Sequence, residues 1–373
     1  MKKILFIIPT LIQTSGVAAF MMNYLSRLQL DNFKVEVIYN DFNVSSKYLE
    51  ILEQKNIKSY KLPYVRNVGF SVYYKEVKKF FKAHNDYEVI YSNASYQSYL
   101  FFKEAKKYGI KKFAMHSHAT QASDKKFKNF VGNIIQHFTN KIVKYRIACS
   151  NAAGMSMFKG KDFTIINNAI DYDKFKFNLD YRKKIRDHYN IADGEKIIGF
   201  VGRFSIQKNI FFFIKLVEKL NDNFKIMMIG KGSLKEQFEN EVKEKHLEDR
   251  FIFVEETSNV NEYYSAFDYF ALPSLYEGLP VVGVEAQANG LPCLFSNTIS
   301  DECKISDNTR YLNKDNLNEW LANIATMSRN DDLKLNDDFN INIQARKFEI
   351  LLTKIINDWK FYVERRKNKW VTS

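Results

Sequence analysis

Residues 268–286 read Asp268-Tyr-Phe-Ala-Leu-Pro-Ser-Leu-Tyr-Glu-Gly-Leu-Pro-Val-Val-Gly-Val-Glu-Ala286. The stretch opens with an apolar run closed by Pro273, the pattern of a buried strand. A short loop rich in proline and glycine follows, and apolar residues then restart at Val281 in the manner of a helix. A strand, loop and helix in so few residues form the repeating unit of a parallel α/β sheet. In such sheets ligands sit beyond the C-terminal strand edges, so this loop is where chemistry is expected. Glu277 lies in the loop and Glu285 on the helix that follows, a placement that turns both carboxylates toward one side. Backbone N–H groups from Gly278 and Leu279 onward have no helical partner and are free to hold an anion. Dipole preference alone also accounts for an acid in a helix's first turns, so Glu285 in isolation has two readings.

The same alternation extends in both directions. Residues 4–9, 34–39, 87–91, 112–116 and 145–149 read as strands, separated by helical periods at 17–28, 72–83 and 96–108. A polar, charged stretch near 167–195 interrupts the pattern. Strands then resume at 196–201, 225–229, 251–254 and 292–295. The predicted domains are 1–170, a linker at 171–195, a second domain at 196–340 and a C-terminal helical segment at 341–373, with Phe348, Leu351, Leu352, Ile355, Ile356 and Trp359 along one side. A chain of 373 residues exceeds the usual span of one core, which agrees with two domains.

Hydrophobic residues at 46% and charged residues at 27% describe a globular chain. Cys149, Cys293 and Cys303 are too far apart for a zinc site or redox pair, which points to a reducing cytoplasm. The apolar start is closed by Pro9 with no cleavage site after it, so it reads as a buried strand and not a signal peptide. No stretch reaches the roughly 20 apolar residues of a membrane span, and membrane contact, if any, is peripheral to the inner face of the plasma membrane. The charge is lopsided: residues 1–170 hold 26 Lys and Arg against 11 Asp and Glu, the remainder 30 against 32. A basic first half implies an anionic partner such as a lipid surface, a lipid pyrophosphate or nucleic acid, or else dispersed solubilising lysines. Aromatic and basic residues interleave at 73–82 and 125–130, a pattern that suits rings at headgroup level on an anionic bilayer and equally suits a helix with a solvated lysine face.

After the strand at 196–201 comes Gly202-Arg-Phe-Ser-Ile-Gln-Lys-Asn209. A tight turn at Gly202 followed by a guanidinium and an ammonium has the outline of a pyrophosphate site. Gly230 and Gly232 close the next strand and read as a simple turn. Taken together, Gly202, Arg203, Phe204, Lys208 and Asn209 with the Glu277-x7-Glu285 pair in Pro-Ser-x-x-Glu-Gly-Leu-Pro resemble the retaining GT-B glycosyltransferases, family 4-like, that assemble capsule, exopolysaccharide and lipid-linked oligosaccharides. The Gly16 loop and the segment 105–118, with His116, Ser117 and His118, are similar to that family as well.

The resemblance implies an α/β GT-B fold, two Rossmann-like domains facing a cleft with the C-terminal helix crossing back to the first. It implies a nucleotide-sugar donor, UDP by family frequency with GDP still open, and no metal or other cofactor. Arg203 and Lys208 would neutralise the leaving diphosphate, Glu277 would hold hydroxyls of a hexosyl or N-acetylhexosaminyl group, and Glu285 the ribose. Gly16, Gly278 and Leu279 would line the donor, and His118, or His116 in its place, would approach the donor sugar. The implied acceptor is a lipid-linked saccharide met by the basic half, not nucleic acid. Two departures are visible: Ser15-Gly16-Val17 has one glycine where the family often has two, and Glu255-Glu-Thr-Ser258 replaces its glycine and basic residue. A nucleotide-sugar epimerase of the same fold and a non-enzymatic polyanion-binding protein are the rival readings. A dinucleotide oxidoreductase would need Gly-x-Gly-x-x-Gly after a strand, and neither half has one.

Overall fold

A computed structural model describes the chain except residues 13–14, 31, 95–96, 119–125, 278, 331–333 and 359–373, and leaves the side chains of 126–133 undescribed. Two compact units form, Met1–Asn168 with Ile341–Ser373, and Ala169–Asn340.

The first unit contains β1 (Lys2–Thr10), α1 (Gly16–Leu25), β2 (Phe33–Asp41), α2 (Ser46–Gln54), β3 (Lys58–Pro63), α3 (Val65–Ala83), β4 (Val89–Ser92), α4 (Ser98–Lys107), β5 (Lys112–Ser117), α5 (Lys126–Ile142), β6 (Tyr145–Ala148), α6 (Asn151–Phe158) and β7 (Thr164–Ile165). The second contains α7 (Tyr172–Phe175), α8 (Leu179–His188), β8 (Lys196–Val201), α9 (Phe212–Val217), β9 (Phe224–Ile229), α10 (Lys235–Glu244), β10 (Phe251–Val254), α11 (Val260–Ala266), β11 (Tyr269–Leu272), α12 (Val281–Ala288), β12 (Cys293–Ser296), β13 (Thr309–Leu312) and α13 (Leu317–Thr326). The chain then returns to the first unit as α14 (Ile341–Ile356).

Every strand pair in both sheets is parallel. The first sheet runs β3-β2-β1-β4-β5-β6-β7 and the second β10-β9-β8-β11-β12-β13. A parallel sheet needs cover on both faces, and β1 shows how this chain supplies it. Leu5 and Ile7 enter one core with Tyr73 and Phe81 of α3 and Phe101 of α4. Phe6 points the other way, with Tyr91, toward Phe348 of α14. Lys2 and Lys112 both donate to the Ile356 carbonyl, so cations meet the negative end of α14. The C-terminal helix therefore belongs to the first unit, as the sequence implied; the part of its predicted span beyond residue 358, Trp359 included, lies outside the described residues.

Three strands escape sequence reading. β3 is an edge strand with exposed Lys58 and Lys61, β7 has two residues, and β13 has four with an exposed Arg310, so none carries a clean apolar run. Residues 171–195, read as a linker, fold as α7 and α8 within the second unit. Phe175, Ile185 and Ile191 bury themselves in its core, while Arg182 and Arg186 tie α8 to Asp268. Charged residues dominate that stretch because most of its surface faces water, which hid its three apolar anchors.

Candidate functional site

In the second sheet the chain progresses outward one way from β8 and the other way from β11, so the topological switch point lies between them. The loops leaving these neighbouring strands carry the two segments singled out above.

The loop after β8 is pinned by its neighbour after β9. Gly202 N–H donates to the Ile229 carbonyl (3.0 Å), Phe204 N–H to Lys231 (3.0 Å), and Leu234 N–H to Phe204 (3.2 Å). Gly230 has φ +141°, and a Cβ there would stand 2.1 Å from the Gly202 oxygen; one on Gly232 would stand 2.2 Å from that of Phe204. These two glycines are thus not a simple turn but the space into which the Arg203 loop fits. With Phe204 buried, its neighbour Arg203 is exposed at the strand edge.

Beyond Arg203 a single 3-10 turn, Ile206–Lys208, ends at Asn209 in the left-handed conformation (φ +51°). Its side chains fasten the loop after β11. Asn209 Nδ2 donates to the Pro273 carbonyl (3.1 Å), Gln207 Nε2 to that of Tyr276 (3.0 Å), and Leu275 N–H to that of Gln207 (2.8 Å). Ser296 and Thr298 hydroxyls both donate to the Ser274 carbonyl, at 2.5 and 2.7 Å. This bracing brings Lys208 Nζ to 2.6 Å from Glu277 Oε1, with the two side chains only 13% and 10% exposed. The predicted cation and the predicted carboxylate are therefore direct partners. Arg203 is exposed, and among the described residues no carboxylate pairs with it, so the cluster carries one surplus positive charge for an anion.

Pro280 occupies the N-cap of α12 and supplies no side-chain acceptor to its first amides. Leu279 packs its side chain on the core, which leaves its backbone for the site. Gly278 lies outside the described residues. Glu285, one turn into α12, is half-buried, and its Oε2 accepts from the Tyr264 hydroxyl at 2.9 Å. Burial pushes the Glu285 carboxyl up to about 7, opposed by the Tyr264 hydrogen bond and by Lys174.

At the switch point of the first sheet, between β1 and β4, Ser15 caps α1 through the Ala18 N–H (3.4 Å), and Gly16 is exposed; among the described residues nothing lies within 4 Å of where its Cβ would sit. The two histidines at the end of β5 differ. His116 is buried, with Nδ1 2.9 Å from the Tyr91 hydroxyl, while His118 is half-buried, with Nε2 2.9 Å from Asn93 Oδ1. Their rings stack at 4.2 Å, with Phe20 edge-on to both. Burial is the main cause that holds His116 well below the ordinary range and brings His118 to about 4, so both are neutral at pH 7.

The helix at 73–82 takes the second of its two readings, a solvated lysine face. Tyr73, Val77, Phe80 and Phe81 face the core, and only Lys75, Lys78, Lys79 and Lys82 are exposed, because an amphipathic helix over a sheet spends its rings on the sheet. The stretch 125–130 falls where side chains are not described. Sequence reasoning also missed Tyr264, Gln207 and Asn93 as supports. Their partners lie 21, 69 and 25 residues away, and no spacing pattern joins such pairs.

Residues 181–346 match the family model for glycosyl transferases group 1. The putative glycosyltransferase EpsF of Bacillus subtilis (strain 168) is 29% identical over 65% of this chain and 66% of its own length. The UDP-Gal:alpha-D-GlcNAc-diphosphoundecaprenol alpha-1,3-galactosyltransferase of Escherichia coli is 22% identical over 79% of each chain. Among solved structures, Anabaena Alr3699/HepE in complex with UDP and glucose superposes with a TM-score of 0.73 at 17% identity, over 96% of this chain and 100% of that one.

Proposed function

We propose that the chain is a GT-B glycosyltransferase of the family 4-like kind, and that it moves a hexosyl or N-acetylhexosaminyl group from a UDP-sugar to a hydroxyl of a lipid-linked saccharide, with retention at the anomeric carbon, in surface-polysaccharide synthesis. The observation that carries this reading is the braced pair of loops at the β8/β11 switch point, where Arg203, Lys208, Glu277 and the first amides of α12 stand on adjoining segments.

In this reading the diphosphate lies against Arg203, Lys208 and the start of α12, whose charges and dipoles favour it most as the bond to the sugar breaks. Glu277 accepts hydrogen bonds from the sugar's hydroxyls while keeping Lys208 aimed at the phosphate. Glu285 accepts from the ribose hydroxyls. The acceptor oxygen forms its bond to the anomeric carbon on the face the diphosphate leaves, and its proton passes to the departing phosphate oxygen. Neutral His118, with His116 stacked behind it, offers a hydrogen bond to the sugar and no charge. The cations and amides replace a metal, so transfer persists at full rate in excess EDTA; loss of activity restored by Mg²⁺ would refute that part.

UDP and a lipid diphosphate are supported by what the HepE structure holds and what the Escherichia coli relative is named for. On the acceptor side, α3 packs on α4, and exposed Lys75, Lys78, Lys79 and Lys82 stand with Lys103, Lys106 and Lys107. We assign this face to the anionic inner leaflet, where each lysine contributes about 1 kcal/mol. Among the described residues no helix is long and apolar enough to cross a membrane. The test is direct: purified enzyme with UDP-sugars and lipid-diphosphate saccharides should yield an α-linked product from an α-linked donor. Epimerised donor without acceptor, or a β-linked product, would sink the proposal.

A further inference from the structure

Tyr264 is wholly buried on α11, and its ring is fixed by Phe175, Phe267 and Phe270 with centroids at 5.9, 5.9 and 5.8 Å. Its hydroxyl lies 2.9 Å from Glu285 Oε2 and 3.2 Å from the Val282 carbonyl, one turn earlier on α12. A tyrosine so caged can donate only to these two acceptors, and the nearer is a half-buried carboxylate. We propose that Tyr264 is a positioning residue for donor binding: its hydrogen bond fixes the Glu285 carboxylate in the orientation that meets the ribose hydroxyls.

This rests on the donor-site reading above, in which Glu285 meets the ribose. The geometry also makes the interaction depend on pH. The titratable groups on the elements packed against α12 are Glu262, Tyr263 and Tyr264 of α11, Tyr172, Asp173 and Lys174 of α7, Tyr269 of β11, Cys293 of β12 and Asp301, Glu302 and Cys303 in the turn that follows; of these, Tyr264 and Lys174 act on Glu285, and both favour its charged form. Burial outweighs them and leaves the carboxyl near 7. An acid with a raised pKa is ionised only above that value, so ribose binding strengthens as pH rises through neutrality and is lost below it. Removing the Tyr264 hydroxyl removes one of the two groups that lower this pKa, and the midpoint must move up.

Calorimetric titration of the full-length chain with UDP and with 2′,3′-dideoxy-UDP between pH 6 and 9 tests this; the dideoxy ligand corrects for titration of the phosphate itself. For the unaltered chain, the ratio of the two affinities should rise across about pH 7. In Tyr264→Phe the rise should shift to higher pH, with UDP weakened about tenfold at pH 7.5, the size of one charge-assisted hydrogen bond, and dideoxy-UDP unchanged. An unshifted midpoint with an unchanged ratio in a folded Tyr264→Phe protein overturns the positioning role. If that variant does not fold, Glu285→Gln serves: a flat ratio across the same range supports the pair, and a persisting pH-dependent rise overturns it. Equal affinity for both ligands in the unaltered chain refutes the Glu285–ribose contact itself, a separate failure.

Discussion

Lys208 Nζ and Glu277 Oε1 form an ion pair at 2.6 Å with both side chains nearly buried, so removing either leaves a shielded charge alone. Breaking such a pair costs up to about 3–5 kcal/mol when burial is complete, and somewhat less here. Lys208→Ala and Glu277→Ala should therefore both melt lower than the unaltered chain. The double variant should recover much of that loss, because it leaves no orphan charge. Activity separates function from packing: each single variant should lose at least about 10²-fold in kcat/KM, and the double variant should stay inactive despite its regained stability. Additive melting shifts with an active double variant would contradict the assignment. At this scale residue types were legible and contacts were not. A guanidinium, an ammonium and two glutamates in loops after strands announced an anion site, but that Lys208 meets Glu277 and that Glu285 meets Tyr264 depends on side chains from separate segments.

Among the elements, the strand-to-loop junctions decide where chemistry stands, and the junctions after β8 and β9 hold each other. With its left-handed φ and a carbonyl 2.1 Å from any Cβ, Gly230 tolerates no side chain without displacing Gly202. Gly230→Ala should cost about 1–3 kcal/mol and, by moving Arg203, should weaken UDP several-fold while leaving the Tyr264–Glu285 pair in place. Chemical denaturation and UDP titration check both effects, and an alanine at Gly230 with unaltered UDP affinity would break the link between the glycines and the anion site. Central strands were legible because burial on both faces writes them as continuous apolar runs, as in residues 196–201 and 269–272. β3 and β13 were not, since exposed charges interrupt them, and α8 was masked by the arginines that anchor it.

Over the whole molecule, charge is divided as sharply as structure is. The surplus of positive charge falls in residues 1–170, whereas the braced loops of the proposed donor site sit in a unit, Ala169–Asn340, that holds 22 Lys and Arg against 29 Asp and Glu. The division was visible by counting, but its geometry was not: only the structure separates the core-facing rings of α3 from its outward lysines. Replacing Lys75, Lys78, Lys79 and Lys82 by Gln should reduce sedimentation with vesicles containing anionic lipid by at least about tenfold at low salt. Transfer to a soluble acceptor analogue should be unchanged. Equal binding of both proteins, or binding to neutral vesicles as strong as to anionic ones, would remove the electrostatic surface from the account.

The central claim is that the β8 and β11 loops form a diphosphate site, and calorimetric titration of UDP into the full-length chain and into Lys208→Ala at pH 8 tests it most directly. The expected result is saturable one-to-one binding to the unaltered chain, at least about tenfold weaker without the lysine; equal affinity in a folded Lys208→Ala protein, or no binding to either, would contradict it.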